Sequence, residues 1–365
     1  MFRSLMCAAL AASSVTLAAP TQELFTLQLA PGLTKVVTES EKWELKAQGK
    51  KFFDVTESGP ASADVEVAAV TYPTAVAQTA AVNALIPSLS KANLQSKLTT
   101  FSNFQNRYYK STYGVQSSNW LLQQVQSIIT AANVAADVKV AAFTHSWEQS
   151  SIIATIPGQT TNTVVISAHQ DSINQRSPAS GRAPGADDDG SATVEILEVF
   201  RVLLTDAKIA AGQHVNTIEV HWYAAEEGGL LGSQAIWNSY KQAGRVVKGL
   251  VHQDMTGYVA PGTTESIGLF TDYVDTSLVT FIGKCIKAYT KLPVVSSKCG
   301  YACSDHASAR NAGYPGALIS EASYENSSPY LHTAQDTIDT VNFNHLLELT
   351  KVTLGTIYEL AFAKL

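Results

Sequence analysis

Charged residues are scarce in this sequence, and their scarcity limits the partners that it can have. Asp, Glu, Lys and Arg make up 15% of the 365 residues, and no block of Lys or Arg occurs. A nucleic-acid-binding protein gathers basic residues on one face, whereas the net charge here is -6. We therefore expect no nucleic-acid partner. The hydrophobic content of 45% also argues against a disordered chain and is enough for a sizeable core.

Long hydrophobic runs are missing after the N-terminus. No segment reaches the roughly 18 unbroken apolar residues that a membrane-spanning helix needs, so we expect a soluble product and no membrane partner. The N-terminus itself has Arg3, then a short and mostly apolar stretch from Leu5 to Leu17, then Ala18 and Ala19. This order is typical of a secretory signal peptide. We predict a signal peptide over 1–18 and an extracellular location; the alternative is a buried N-terminal helix.

Cysteine is also rare, with four residues in the chain. Cys7 would be removed with the signal peptide, and Cys285 is left unpaired, as is typical of a buried structural thiol. Cys299 and Cys303 flank a Gly-Tyr-Ala loop. An oxidising compartment favours a small disulfide there. A metal site at this pair is the weaker alternative, because it would need further Cys or His partners close by.

The chain divides into two parts by composition. Residues 20 to about 85 carry Pro, Lys and Glu in short mixed segments, and a helical pattern of leucines begins near Val82. We predict a propeptide over 19–85 and a catalytic domain over 86–365. No dibasic sequence lies at this boundary, since Lys50-Lys51 is well upstream.

The second part alternates strands with helices. Buried strands are predicted at 163–168, 217–225, 247–252 and 316–320, and helices at 117–134, 190–204, 233–242 and 343–363. This alternation predicts a single α/β domain in three layers, with a mixed, mostly parallel sheet between helices on both faces.

Polar residues follow the ends of these predicted strands. Such ends form the ligand-binding edge of an open α/β sheet. The set comprises His169, Asp171, Asp187, Asp188, Asp189, Glu226, Glu227, Asp254, His332 and Asp336. Imidazoles and carboxylates together can hold two divalent metal ions, and one carboxylate can bridge them.

Each of these elements is weak evidence alone. A triple Asp at a helix start is more often capping, and a Glu pair after a strand is more often a solvated loop. His-Gln-Asp occurs at 169–171 and again at 252–254, and spacing does not decide which member binds metal in each. The combination at one edge of the sheet is what points to a metal site.

Five ordered motifs resemble the zinc aminopeptidases of the M28 group, closest to the secreted leucine aminopeptidases of fungi. They are APGADDDGSA (183–192), WYAAEEGGLLGS (222–233), HQDMTGY (252–258), CGYACSDHAS (299–308) and LHTAQDT (331–337). The resemblance extends over about 85–365 and implies a zinc-exopeptidase-like fold. It also implies two zinc ions and peptide substrates with a free N-terminus.

The resemblance assigns roles residue by residue. It implies that Glu226 is the general base and that Asp171 orients the first ligand. The implied zinc ligands are His169, Asp188 as the bridge, Glu227, Asp254 and His332. His252 is then a structural residue. The family also has a disulfide that matches Cys299–Cys303, with Tyr301 beside the substrate.

The implied reaction is the release of N-terminal residues by activated water. We predict that Met255, Ile319, Tyr324 and Leu331 line a pocket for the first side chain, although ordinary core positions are equally consistent for each. Their apolar character favours Leu-like residues. Asn326 begins a glycosylation sequon that Pro329 follows closely. We expect a monomer.

Three other functions are weighed against this one. A glutaminyl-cyclase-type transferase on the same fold would use one zinc ion and lack part of the ligand set. A carboxypeptidase-like deacylase commonly carries an inserted lid domain, and no insertion of that size separates the motifs. A binding or receptor ectodomain without activity should lack the base or several ligands. All of these candidate residues are present.

Overall fold

The computed structural model describes residues 22–62 and 65–365. The predicted signal peptide therefore lies outside the described residues. The strands are β1 (Leu24–Ala30), β2 (Leu33–Thr38), β3 (Phe53–Asp54), β4 (Lys139–Phe143), β5 (Ser151–Ile156), β6 (Thr160–His169), β7 (Asn216–Tyr223), β8 (Val247–Gln253), β9 (Ile267–Phe270), β10 (Val294–Ser297) and β11 (Gly316–Ser320). The helices are α1 (Glu39–Ala47), α2 (Thr79–Leu85), α3 (Lys91–Phe101), α4 (Thr112–Ala132), α5 (Ala192–Leu203), α6 (Ala207–Ala210), α7 (Leu231–Gln242), α8 (Thr276–Tyr289), α9 (His306–Asn311) and α10 (Phe343–Phe362).

A small N-terminal unit contains β1, β2, β3 and α1. Its strands form an antiparallel sheet in the order β2-β1-β3. Helix α1 begins after Thr38, whose side chain accepts from the backbone N–H of Glu41 while the Glu41 carboxylate accepts from Thr38 N. A buried ion pair of 2.5 Å between Lys42 Nζ and Asp54 Oδ2 ties the helix to β3.

The main sheet has eight strands in the order β10-β9-β11-β8-β6-β7-β5-β4. Strands β7, β6, β8 and β11 run parallel to one another, and β9 pairs in parallel with β10. The pairs β4–β5, β5–β7 and β9–β11 are antiparallel. The predicted mixed, mostly parallel sheet is thus confirmed.

Helices cover both faces of this sheet. Along β6, Val164 and Ile166 lie in the main core with α5, α8 and α10, whereas Val165 points to a second core with α7. A strand that is buried on both faces needs apolar residues at successive positions, which explains the continuous apolar run. In the part of the chain that is described, no helix is both long enough and apolar enough to span a bilayer.

The segment that leads into α2 packs on the main core rather than on the N-terminal unit. Tyr72, Val82 and Leu85 belong to the core cluster of the main sheet. The buried carboxylate of Glu359 on α10 accepts the backbone N–H groups of residues 77 and 78, at 2.9 and 2.8 Å. In packing terms the N-terminal unit therefore ends between Asp54 and Tyr72, earlier than the predicted boundary at 85.

Candidate metal centre

The ends of three neighbouring parallel strands place the central residues of the site. His169 is the last residue of β6, Glu226 follows β7, and Asp254 follows β8. Asp188 lies in the turn before α5, and His332 in the loop after β11. All five line one cavity of about 490 Å³. The structure therefore places these side chains together at one edge of the sheet, as expected from the positions of the strand ends.

Asp188 stands between two imidazoles. Its Oδ1 is 3.1 Å from His169 Nε2 and its Oδ2 is 3.1 Å from His332 Nε2. On one side, Asp254 Oδ1 is 3.8 Å from His169 Nε2. On the other, Glu227 Oε2 is 3.0 Å from His332 Nε2. These contacts form two groups of possible metal-ligand atoms, and the Asp188 carboxylate has one oxygen in each group.

The donor set fits two divalent metal ions. Imidazole nitrogen and carboxylate oxygen are both ligands that zinc accepts. Asp188, Glu227 and His332 offer ligand atoms within 4.8 Å of one another, and so does the group of His169, Asp189 and Asp254. Glu227 Oε1 is buried without a hydrogen-bond partner in the part of the chain that is described. A buried carboxylate oxygen in that state is costly unless a cation compensates it.

The Asp189 side chain lies close to this site, but its oxygens accept hydrogen bonds from the backbone. Its Oδ2 accepts the backbone N–H of His169 at 3.1 Å, and its Oδ1 accepts that of Met255 at 3.0 Å. The Asp189 carboxylate therefore joins the ends of β6 and β8. The Asp189 oxygens are thus engaged with backbone groups, whereas the Asp188 oxygens face His169 and His332.

Two further buried carboxylates hold the backbone of the ligand-bearing turns. Asp171 accepts the N–H groups of Glu226 and Glu227 at 3.0 and 3.2 Å, and its Oδ1 lies 3.5 Å from His169 Nδ1. Asp336 accepts the N–H groups of residues 187 and 188 at 2.9 and 3.0 Å. The sequence predicted a supporting role for Asp171. It indicated none for Asp336, because a backbone partner leaves no pattern in the sequence.

The pKa of Glu226 is shifted in the opposite direction from the pKa values of Asp188 and Asp254. Burial raises the pKa of Glu226 well above its usual value. Burial acts in the same direction on the pKa of Asp188, but hydrogen bonds from His169 and His332 outweigh it and hold that pKa well below its usual range. The pKa of Asp254 is also lowered against burial, mainly by His169. Anionic carboxylates suit metal binding, whereas a raised carboxyl pKa suits proton transfer.

The N-terminal unit enters the same cavity. Lys46 Nζ is 2.5 Å from Glu227 Oε2 and 3.8 Å from Glu226 Oε2. Lys51 Nζ donates to Cys299 O at 2.5 Å and lies 4.0 Å from the ring centroid of Tyr324. The sequence did not single out either lysine as a site residue, since they lie more than a hundred residues before the first metal motif.

Three of the four residues predicted to line a pocket for the first side chain lie at this cavity. Met255, Tyr324 and Leu331 line the cavity. Ile319 does not, because its side chain lies in the main core on the other face of β11. Its neighbours Leu318 and Ser320 line the cavity instead.

Tyr301 is not among the residues that line the cavity. Its ring packs edge-on against Phe53 of β3 and against Tyr273, with centroids 5.4 and 5.5 Å away. With the N-terminal unit present, the Tyr301 ring therefore packs on Phe53 of that unit, and its place beside the substrate stays a prediction. The adjacent residues Ala302 and Cys303 do line the cavity.

The remaining predicted residues lie as follows. Cys299 and Cys303 form a disulfide with Cα atoms 5.8 Å apart, and Cys285 is free and buried. His252 is fully buried between the hydroxyls of Ser167 and Ser304, each 2.8 Å away, as a structural histidine should be. Asn326 is exposed.

Comparisons with known proteins agree with this geometry. The sequence pattern of Peptidase family M28 matches residues 151–357. Leucine aminopeptidase 1 of Arthroderma otae is 53% identical over 345 residues, which cover 93% of this chain and 92% of that protein. Leucine aminopeptidase 1 of Ajellomyces dermatitidis is 52% identical over 93% of this chain and 90% of its own length. Among solved structures, the LapA aminopeptidase of Legionella pneumophila superimposes with a TM-score of 0.83 at 27% identity, covering 94% of this chain and all (100%) of that one.

Proposed function

The chain belongs to peptidase family M28 and is a zinc-dependent aminopeptidase, and on that basis we propose that it releases N-terminal, preferably hydrophobic residues from peptides outside the cell. The observation that carries the proposal is Asp188, with one oxygen toward each of two imidazoles. Asp188 would be the carboxylate that two metal ions share. The five proposed ligands of two zinc ions are His169, Asp188, Glu227, Asp254 and His332.

The proposed chemistry assigns Glu226 to proton transfer. Zinc ions in such a site lower the pKa of a water molecule and polarise the scissile carbonyl. Glu226 takes the proton of the attacking water on its carboxylate and passes it to the departing amine nitrogen. Asp171 holds the Glu226 backbone through a 3.0 Å hydrogen bond, which fixes the turn that carries the Glu226 side chain.

The charge of the cavity supports a substrate with a free α-amine. Glu226, Asp188 and Asp254 line the cavity and give it a negative rim. From residue 169 onward, no Lys or Arg is among the lining residues. A peptide carboxylate at the C-terminus would need such a residue, because Arg and Lys are its usual partners. The apolar lining residues Met255 and Leu331 favour a hydrophobic first side chain.

We further propose that the N-terminal unit is a propeptide that restrains the enzyme. Lys46 and Lys51 occupy the cavity that a substrate needs. Between Asp54 and Tyr72 the described residues 57–62 and 65–71 form no helix or strand, and none of them is buried. A protease acts on exposed irregular segments of this kind. The proposed cleavage site therefore lies in this segment rather than at residue 85.

Metal analysis and a comparison of substrates test the proposed activity. Processed protein is expected to contain two zinc ions per chain and to hydrolyse Leu-p-nitroanilide but not its N-acetyl derivative. A chelator should abolish activity, and added zinc should restore it. Equal rates on the blocked and free substrates, or release of residues from the C-terminus of a peptide, would contradict the proposal.

A further inference from the structure

Arg107 is a fully buried charged side chain behind the metal centre, in the connection between α3 and α4. Its guanidinium lies over the ring of Phe101, 4.3 Å from the centroid. Nε donates to Gln170 O at 2.7 Å and Nη2 to Gly185 O at 2.8 Å, while Nη1 donates to Pro184 O. All three guanidinium nitrogens are thus bound to backbone carbonyl groups.

These carbonyl groups belong to the two loops that carry metal ligands. Gln170 directly follows His169 at the end of β6, and Gly185 lies three residues before Asp188. A second link joins the same loops, because Ser172 Oγ accepts from Arg107 N at 3.1 Å and donates to Ala183 O at 2.9 Å. The distance between the two loops is therefore fixed from behind by Arg107 and Ser172.

Gly185 is adapted to this contact. It has a φ of +49°, and an added Cβ would lie 2.7 Å from Arg107 Nη2 and 2.4 Å from Asp188 O. Any other residue would push the guanidinium away from the loop. A planar guanidinium presents several N–H groups in a fixed fork, so it can hold three carbonyl groups at set angles, which a lysine ammonium cannot.

The charge of Arg107 is retained in this buried place. Burial lowers its pKa to about 10, against the attraction of surrounding carboxylates, so the guanidinium is still charged at neutral pH. Those carboxylates act on it through space, and they are Asp336, Asp171, Asp188 and Asp189. Arg107 therefore also offsets part of the negative charge that the ligand-bearing loops bring together.

We propose that Arg107 is a positioning residue that, together with Ser172, sets the spacing of His169 and Asp188 and so the affinity of the site for zinc. This inference rests on the proposed two-zinc function. Arg107 does not line the cavity, so it has no direct contact with a substrate there. Its effect must reach the reaction through the geometry of the ligands.

Zinc affinity of Arg107→Lys tests the proposal, measured by competition with a chromogenic chelator on the full chain. We expect a loss of roughly 10–100-fold, the usual effect of removing a residue that orients metal ligands. In processed enzyme with saturating zinc, kcat for Leu-p-nitroanilide should fall while KM stays within about twofold of the parent, because the substrate contacts are intact.

Arg182→Lys is the matched control. Arg182 also donates to backbone carbonyl groups, those of Ser102 at 2.8 Å and of Phe104, but these carry no ligand. It should cost stability without changing zinc affinity. Ser172→Ala breaks the second link without a change of charge, and several-fold weaker zinc binding is expected. It replaces Arg107→Lys in the test if that variant does not fold.

The possible results distinguish a failure of the proposed role of Arg107 from a failure of the proposed zinc-dependent function. If the parent binds zinc and cleaves Leu-p-nitroanilide while Arg107→Lys and Ser172→Ala bind zinc as tightly as Arg182→Lys, the positioning role is wrong. If Arg107→Lys does not fold, an unchanged zinc affinity of Ser172→Ala would also contradict the positioning role. A parent that binds no zinc would contradict the proposed function and the inference together.

Discussion

Glu226 and Glu227 are neighbours in sequence with different environments. The Glu227 carboxylate contacts His332 at 3.0 Å, whereas Glu226 has no imidazole contact within ion-pair distance among the described residues. Burial raises the pKa of Glu226, while contacts with His332 and Lys46 lower that of Glu227 against the effect of burial. This difference supports the proposed roles, with Glu227 as a metal ligand and Glu226 as the group that accepts a proton.

Glu226→Gln should keep both metal ions and lose at least about a hundredfold in kcat, since an amide cannot accept the proton. Metal analysis and initial rates on the same processed sample measure both properties. Glu227→Gln is the matched comparison and should lose metal as well as activity. Activity of Glu226→Gln within a few-fold of the parent would show that another group is the base.

Position at strand ends indicated that polar residues would meet at one edge of the sheet, and the structure brings His169, Glu226 and Asp254 together there. The choice of Asp188 and His332, which lie in loops, and the role of each residue came from the resemblance to a known family. Ile319 was wrong by a single place, because alternate residues of a strand point to opposite faces and the choice between 318 and 319 needs the observed register. Lys46 and Arg107 were missed, and Asp336 was placed at the site without its role in holding the backbone, since each acts through a contact that depends on the tertiary fold.

Among the secondary-structure elements, α5 carries an unusual buried group. Glu195 in its first turn is fully buried, and its Oε1 accepts a hydrogen bond of 2.5 Å from Thr353 Oγ1 on α10. Burial raises the pKa of Glu195 to about 8 from the usual 4.5. The carboxyl is therefore protonated in the folded protein at neutral pH.

Glu195→Gln should make the stability less dependent on pH. Between pH 4.5 and about 8 the unfolded chain loses the Glu195 proton while the folded protein keeps it, so the parent loses stability as pH rises. The loss is at most about 1.4 kcal/mol per pH unit in this window. The advantage of the variant should therefore grow from pH 5 to pH 8 in thermal unfolding. Exposed Glu325 changed to Gln is the control, and parallel curves for parent and Glu195→Gln would contradict the expectation.

The sequence predicted most, but not all, of the longer elements. The buried strands β6, β7, β8 and β11 and the helices α4, α5, α7 and α10 were expected within about five residues, because a continuous apolar run or a helical period marks each of them. Helix α8 was not predicted, although it has 14 residues. Strands β9 and β10 have four residues each, too few for a period. They were not predicted, and neither were β4 and β5.

On the scale of the whole molecule, Tyr72 marks where the catalytic core begins. Its ring stacks on Phe281 with centroids 6.2 Å apart, and its hydroxyl donates to Lys248 O at 2.7 Å. Tyr72→Ala should lower the free energy of unfolding by about 3–5 kcal/mol, as is usual for a buried aromatic residue. Tyr113→Ala, at a residue that is 43% exposed, is the control and should change it little. Equal urea denaturation midpoints for the two variants would place Tyr72 outside the core.

Cleavage between Asp54 and Tyr72 should activate the enzyme. Limited proteolysis of the full chain, followed by N-terminal sequencing, is expected to give a catalytic fragment that keeps Tyr72. Its rate on Leu-p-nitroanilide should be at least about tenfold higher, because loss of the Lys46–Glu227 contact frees the cavity. Lys46→Ala in uncleaved protein should recover part of that gain. An unchanged rate after complete cleavage would show that the N-terminal unit does not restrain the enzyme.

If Lys46 and the substrate use the same cavity, as proposed, the kinetics of a mixed preparation follow from it. A molecule with Lys46 in the cavity would bind no peptide and would contribute no rate to the assay. In a mixed preparation, the maximal rate would then scale with the processed fraction, whereas KM would stay that of the processed enzyme. Two batches that differ severalfold in specific activity but agree in KM would thus differ in maturation, and counting active sites with a tight-binding inhibitor would return the same turnover number for both.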